Sequence, residues 1–121
     1  YAARAAMSLG AEIQVFDNHL YKLRRLKHAL GSPLSTATID SGSLAVSLKE
    51  ADVVIGALRA EKGKVRHVVS EEMVTNMKPD SLIIDLSIDQ GGCIATSEMT
   101  THDRPTYRKH GVIHYCVPNV A

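Results

Sequence analysis

Short apolar runs alternate along this chain with segments whose apolar residues recur at helical spacing, and that alternation leaves few folds open. Residues 52–58 (DVVIGAL) read as a strand buried on both faces, and residues 82–86 (LIIDL) as a second buried strand. Residues 12–16, ended by Asp17, a short run at 34–39 and a last run at 112–117 add three more. Between them, Leu20, Leu23, Leu26 and Leu30 mark a helix closed by Gly31 and Ser32-Pro33. Its other positions, Lys22, Arg24, Arg25, Lys27 and His28, form a solvated basic side. Residues 43–51 read as a helix with Ser41 or Ser43 near its cap. Ser70 caps another, with Glu71 and Glu72 in its first turn and Lys78-Pro79-Asp80 as its stop. Residues 59–67 read as a polar loop and 87–109 as a long irregular stretch. Strands alternating with helices imply an α/β fold: one domain, a doubly wound parallel sheet with helices on both faces.

Composition removes several kinds of function. A net charge of +1 over 121 residues gives no reason to expect nucleic acid or an anionic membrane as partner. Five aromatic rings' worth of side chains, 4% of the chain and none of them Trp, offer no stacking platform for single strands. No apolar run approaches the roughly 20 residues of a membrane span. Cys93 and Cys116 are too few for a disulfide scaffold and lack zinc-site surroundings, which makes a cytoplasmic location the default.

The chemistry concentrates at 82–93 (LIIDLSIDQGGC). A carboxylate just past the carboxyl end of a buried strand sits where open α/β sheets bind ligands. Asp85 and Asp89 both qualify, and Gly91-Gly92 allows a sharp turn or a close approach. Asp85 alternates with buried neighbours and reads as a structural hydrogen-bond acceptor; Asp89 either caps the turn or does chemistry. Cys93 and Cys116 read as packed small hydrophobes, and His114 as a satisfied sheet residue. Thr100, Thr101 and His102 read as groups that order the long loop.

A dinucleotide-binding βαβ unit has a glycine-rich turn, a helix, then a strand ended by an acid that binds the adenosine ribose. Residues 1–9 (YAARAAMSL) are alanine-rich and helical, with Gly10 as cap, and strand 12–16 and Asp17 follow in order. Nothing before Tyr1 caps that helix. The expectation is therefore a Rossmann-like sheet that is incomplete, with the first strand and the glycine-rich turn upstream of residue 1. Strands 12–16 and 53–57 should then not pair with one another. Asp17 alone is ambiguous, since a helix N-cap explains it equally well.

The combination VIGAL (54–58), EEMVTNMKP (71–79), IIDLSIDQGGC (83–93), TTH (100–102) and HYCVPN (114–119) resembles the alanine dehydrogenase family over the whole chain. The resemblance implies residues 1–121 as an NAD-binding domain fragment, inactive alone, of a homo-oligomeric (hexameric) enzyme that interconverts L-alanine with pyruvate and ammonia. It implies Asp89 as the catalytic aspartate and Asp17 as the ribose acid with Lys22 nearby. It places Ala57 and Leu58 on the adenine and ribose side, Leu86 beside the nicotinamide, and Asn119 and Val120 by the nicotinamide and the interdomain cleft. The family's substrate-binding lysine and histidine belong to the other domain and have no counterpart here. Asp17 would repel a 2′-phosphate, which favours NAD over NADP. The NAD-binding α subunit of proton-translocating transhydrogenase is the nearest alternative, a non-catalytic nucleotide-binding module the next; Asp89 favours the dehydrogenase.

Overall fold

Ile13, Val15 and Phe16 form the first ladder of the chain rather than a helix because β-branched and aromatic side chains pack well on a pleated surface. The structure, a computed structural model, describes residues 5–6, 8–17, 20–30, 34–37, 39–58 and 67–118. It forms two compact units, Tyr1–Asp40 and Ser41–Ala121.

In the first unit, β1 (Ile13–Phe16) and β2 (Leu34–Ala37) pair in parallel, Ile13 opposite Leu34 and Phe16 opposite Ala37. A parallel pair needs a crossover, and α1 (Leu20–Leu30) provides it. Leu23 is buried on α1, while Lys22, Arg24, Arg25, Lys27 and His28 are exposed, so the basic run is a solvated helix face. Ala5, Ala6 and Ser8 are helical, and the chain turns at Gly10 with a φ of 84°, a conformation that favours glycine. Residues 1–4 and 7 of the predicted first helix lie outside the described residues, as do Gly31, Ser32 and Pro33.

The second unit opens with α2 (Ser41–Glu50), which starts two residues before the predicted 43 and buries Leu44 and Leu48, one turn apart. Next come β3 (Val53–Gly56), α3 (Glu71–Thr75), β4 (Leu82–Asp85), β5 (Thr106–Lys109) and β6 (Val112–Tyr115). The four strands form one sheet in the order β3-β4-β6-β5, so β1 and β3 fall in separate sheets, as predicted. The pairs β3–β4 and β4–β6 are parallel. Ser70 caps α3, its hydroxyl oxygen accepting from the Met73 N–H at 3.2 Å. Val69 and Val74, before the cap and in the first turn after it, are both buried, the arrangement of a hydrophobic staple. Among the described residues no helix is long and apolar enough to cross a membrane.

Two features differ from the sequence reading. Residues 106–109 are not irregular: β5 pairs antiparallel with β6 through a two-residue turn, His110-Gly111, with φ of 55° and 76°. Positive φ at both turn residues matches the twist of the flanking strands, which is why such turns close hairpins. The second difference concerns β3, which is not buried on both faces: Val53 and Ile55 are 52% and 44% exposed. β3 is the edge of its sheet, and its apolar content measures what could be buried, not which face receives cover. The opposite face holds the core, where Ile83, Asp85, Val112 and His114 are all buried.

His114 is a satisfied sheet residue, as predicted. Its Nδ1 lies 2.9 Å from the Val112 carbonyl oxygen, which can only accept, so Nδ1 carries the proton. Nε2 then accepts from the Thr96 hydroxyl at 2.7 Å. The Tyr107 ring stacks on the imidazole with centroids 4.8 Å apart. Burial pushes the His114 pKa below its ordinary 6.5. A folded-state value below the unfolded one costs no stability above pH 6.5, where both states are neutral. Below it the unfolded chain takes up a proton first. Stability should therefore fall on acidification below about pH 6.5, by up to about 1.4 kcal/mol per pH unit from this group. Urea unfolding measured across pH 7.5 to 5 checks this; flat stability through that window would contradict it.

Candidate functional site

The carboxyl ends of β3 and β4 lie side by side, with Gly56 opposite Asp85 in the ladder. Two hydrogen bonds fasten the loops that leave them. The Leu86 N–H donates to the Gly56 carbonyl at 2.7 Å, and the Ser87 hydroxyl donates to the Leu58 carbonyl at 2.8 Å. Ala57, Leu58, Leu86 and Asp89 are thereby gathered at one end of the sheet. Leu86 is 49% exposed, an apolar side chain left in solvent where the strand ends. Ile88–Gln90 form a 3-10 turn in which Ile88 is buried and Asp89 and Gln90 are exposed.

Beneath that turn lies Asp85, 1% exposed. Its Oδ1 accepts from the Ser87 N–H at 2.9 Å, and its Oδ2 from the Cys93 N–H at 3.0 Å and the Ser97 hydroxyl at 2.6 Å. The structural reading of Asp85 holds. Glycines make room for this packing. A Cβ on Gly56 would stand 2.5 Å from Cys93 Sγ, and one on Gly92 would stand 2.9 Å from Asp85 Oδ2. Gly92 also has a φ of 80°, so its role is close approach and backbone conformation together. Gly91, at φ 102°, ends the 3-10 turn in the left-handed region.

Neither cysteine is a nucleophile here. Both are buried. Burial, with the negative charge of Asp85 beside it, pushes the Cys93 thiol up to about 12, which leaves almost no thiolate near neutrality. Farther along the loop, the Thr100 N–H donates to the Cys116 carbonyl and the Thr100 hydroxyl to the Pro105 carbonyl. Thr101 accepts from the Arg104 N–H, so both threonines order the loop as predicted, while His102 is exposed.

In the first unit, Asp17 follows β1 directly; its N–H donates to the Ala37 carbonyl at 3.1 Å and the residue is half-buried. Lys22 is exposed on α1. Asn119 and Val120 lie outside the described residues, as do residues 59–66 of the predicted polar loop. Among the described residues no group of three or more His, Cys, Asp or Glu could hold a metal ion. Sequence reading passed over Ser87 and Ser97, which fasten the site. For Ser87 the signal was present: an Asp two residues upstream of a backbone N–H in a turn is the pattern of an Asx turn.

A strand-end carboxylate over a glycine-bearing turn is common to many α/β proteins, so comparison with known proteins decides the family. The family model described as alanine dehydrogenase/PNT, C-terminal domain, matches residues 1–121. The chain belongs to this family. It is similar to the alanine dehydrogenase of Lysinibacillus sphaericus, 43% identical over 116 residues that cover 95% of this chain and 31% of that protein. It is also similar to the alanine dehydrogenase of Bacillus subtilis (strain 168), 42% identical over 120 residues, 98% of this chain and 32% of that one. A solved structure of L-alanine dehydrogenase superposes with a TM-score of 0.93 at 37% identity, covering 98% of this chain and 33% of that chain. The transhydrogenase from Sinorhizobium meliloti matches with a TM-score of 0.63 at 22% identity, over 88% of this chain and 36% of that one, which shows a shared fold. As a member of the alanine dehydrogenase/PNT C-terminal domain family, the chain spans about a third of the length of the relatives it matches.

Proposed function

We propose that this chain is the NAD-binding domain of an alanine dehydrogenase, which converts L-alanine, NAD and water to pyruvate, ammonia and NADH, and the reverse. The observation that carries the reading is the pairing of exposed Leu86 with exposed Asp89 at the carboxyl end of β4, on a loop fastened to the loop after β3. An apolar surface beside a carboxylate suits the nicotinamide half of a dinucleotide, and the close-packed glycine at the end of β3 keeps the adjoining backbone low. The residues fit the cofactor. Names and identity of the relatives support the choice of alanine dehydrogenase over other dehydrogenases.

Bound there, NAD supplies the acceptor for the hydrogen that leaves the alanine α-carbon. Everything else falls to side chains. The Asp89 carboxylate takes a proton from the water that adds to the imine carbon, and returns it to the departing amine. Leu86 presents an apolar flank that keeps bulk water off the reacting face. Ala57 and Leu58 border the adenine and ribose side, Asp17 accepts from the ribose hydroxyls with Lys22 near the same ribose, and Asn119 and Val120 belong to the segment beside the nicotinamide and the interdomain cleft. Asp17 also disfavours a 2′-phosphate by charge, so NAD is preferred to NADP.

The test is NADH formation by the complete purified polypeptide offered single amino acids. L-Alanine should support it, and L-glutamate and L-leucine should not. NAD reduction with another amino acid in place of L-alanine would overturn the reading.

A further inference from the structure

We propose that Asp85 is a positioning residue: its buried carboxylate fixes the place of Asp89, and it affects turnover through Asp89 alone. The inference rests on the catalytic role proposed for Asp89. Two backbone N–H groups and a hydroxyl, with the Cys93 thiol at 3.7 Å as a weaker fourth donor, converge on Asp85, and they bracket the turn that bears Asp89. The Ser87 N–H lies just before the 3-10 turn and the Cys93 N–H just after Gly91-Gly92. The Ser97 hydroxyl draws in the segment that follows. A single carboxylate therefore holds both ends of the turn from below, and the turn is left with its exposed face carrying Asp89.

The glycine contacts define how little slack remains. Gly92 runs so close to Oδ2 that a Cβ there would fall inside van der Waals contact, and a Cβ on Gly56 would stand 3.4 Å from Asp85 Oδ1. Among the described residues no cation pairs with Asp85: its partners are hydrogen-bond donors from this one loop. An ion-pair role is thus replaced by a loop-setting one. Displacing a proton-transfer group by about 1 Å can cost about 10²-fold in rate, so a clamp of this kind is felt in turnover before it is felt in cofactor binding.

The experiment is a double-mutant cycle on the complete polypeptide, reading kcat with L-alanine and NAD together with the NAD dissociation constant. Asp85→Asn keeps one accepting oxygen for the Ser87 N–H but sets an amide NH₂ against a backbone donor, which loosens one end of the turn. It should lower kcat about 10-fold in the wild-type background and less than about 2-fold in the Asp89→Asn background, with NAD affinity unchanged within about 2-fold in both. Ser97→Ala, which removes only the side-chain donor, should behave likewise with a smaller loss of about 3-fold, and it decides the matter should Asp85→Asn fail to fold. Equal losses in the two backgrounds would overturn the positioning role while leaving the catalytic role of Asp89 in place. Wild-type kcat in Asp89→Asn itself would overturn both.

Discussion

Asp89→Asn in the complete polypeptide should lower turnover with L-alanine by about 10²-fold, the usual scale for the loss of general acid–base help. Asn has nearly the shape of Asp and retains an accepting oxygen, so an effect of that size would report the proton and not the fold. The side chain sits on an exposed 3-10 turn whose only buried member is Ile88, and the turn is held from beneath by Asp85. Steady-state kinetics over a range of pH check the claim. Turnover within about 2-fold of wild type would remove Asp89 from the mechanism.

Asp85→Ala should produce the largest loss of stability of any single change at the site. It strips the acceptor from two backbone N–H groups, those of Ser87 and Cys93, and from the Ser97 hydroxyl. A buried donor left unpaired costs about 1–3 kcal/mol, so two backbone groups alone amount to about 2–6 kcal/mol. Against a usual domain stability of about 5–15 kcal/mol, that is a large fraction. Among the described residues no buried side-chain nitrogen or oxygen lacks a partner, which shows how fully the native packing satisfies such groups. Urea unfolding should show a loss of at least about 2 kcal/mol, or a variant that does not accumulate folded. A loss below about 0.5 kcal/mol would mean that water enters and replaces the carboxylate.

Much of the fold could be read from residue patterns because the informative segments satisfy local and tertiary demands at once. Leu82, Ile83 and Ile84 form a strand on propensity and find a central place in the sheet between β3 and β6. Ser70 caps its helix through a bond to Met73 that depends on nothing distant. The features that escaped depend on distant partners or on an unusual residue. Thr106–Lys109 has little apolar content, and the turn that closes its hairpin places a histidine as well as a glycine at positive φ. The exposure of Val53 and Ile55 reflects their place at a sheet edge, which no composition reveals.

The site divides in the same way. An apolar run, a carboxylate pair and two glycines were enough to single out 82–93 and to read Asp85 as structural, whereas the role of Asp89 came from the family resemblance. That Ser87 reaches across to Leu58, and Ser97 back to Asp85, depends on contacts 29 and 12 residues apart in sequence, and short-range patterns do not encode them. Gly92 shows the limit well. Its neighbour Gly91 explains the end of the turn, whereas the second glycine answers both to its own φ of 80° and to an oxygen of Asp85 at 2.9 Å from where its Cβ would be.

The central claim is that the carboxyl end of β4 forms the nicotinamide end of an NAD site with Asp89 as its proton-transfer group. A crystal structure of the complete polypeptide with NAD bound tests it most directly. The account predicts the nicotinamide ring against Leu86 and the Asp89 carboxylate within hydrogen-bond reach, about 2.6–3.2 Å directly or through one water, of the position taken by substrate. A nicotinamide seated away from Leu86, with Asp89 turned to solvent and joined to neither substrate nor water, would contradict it.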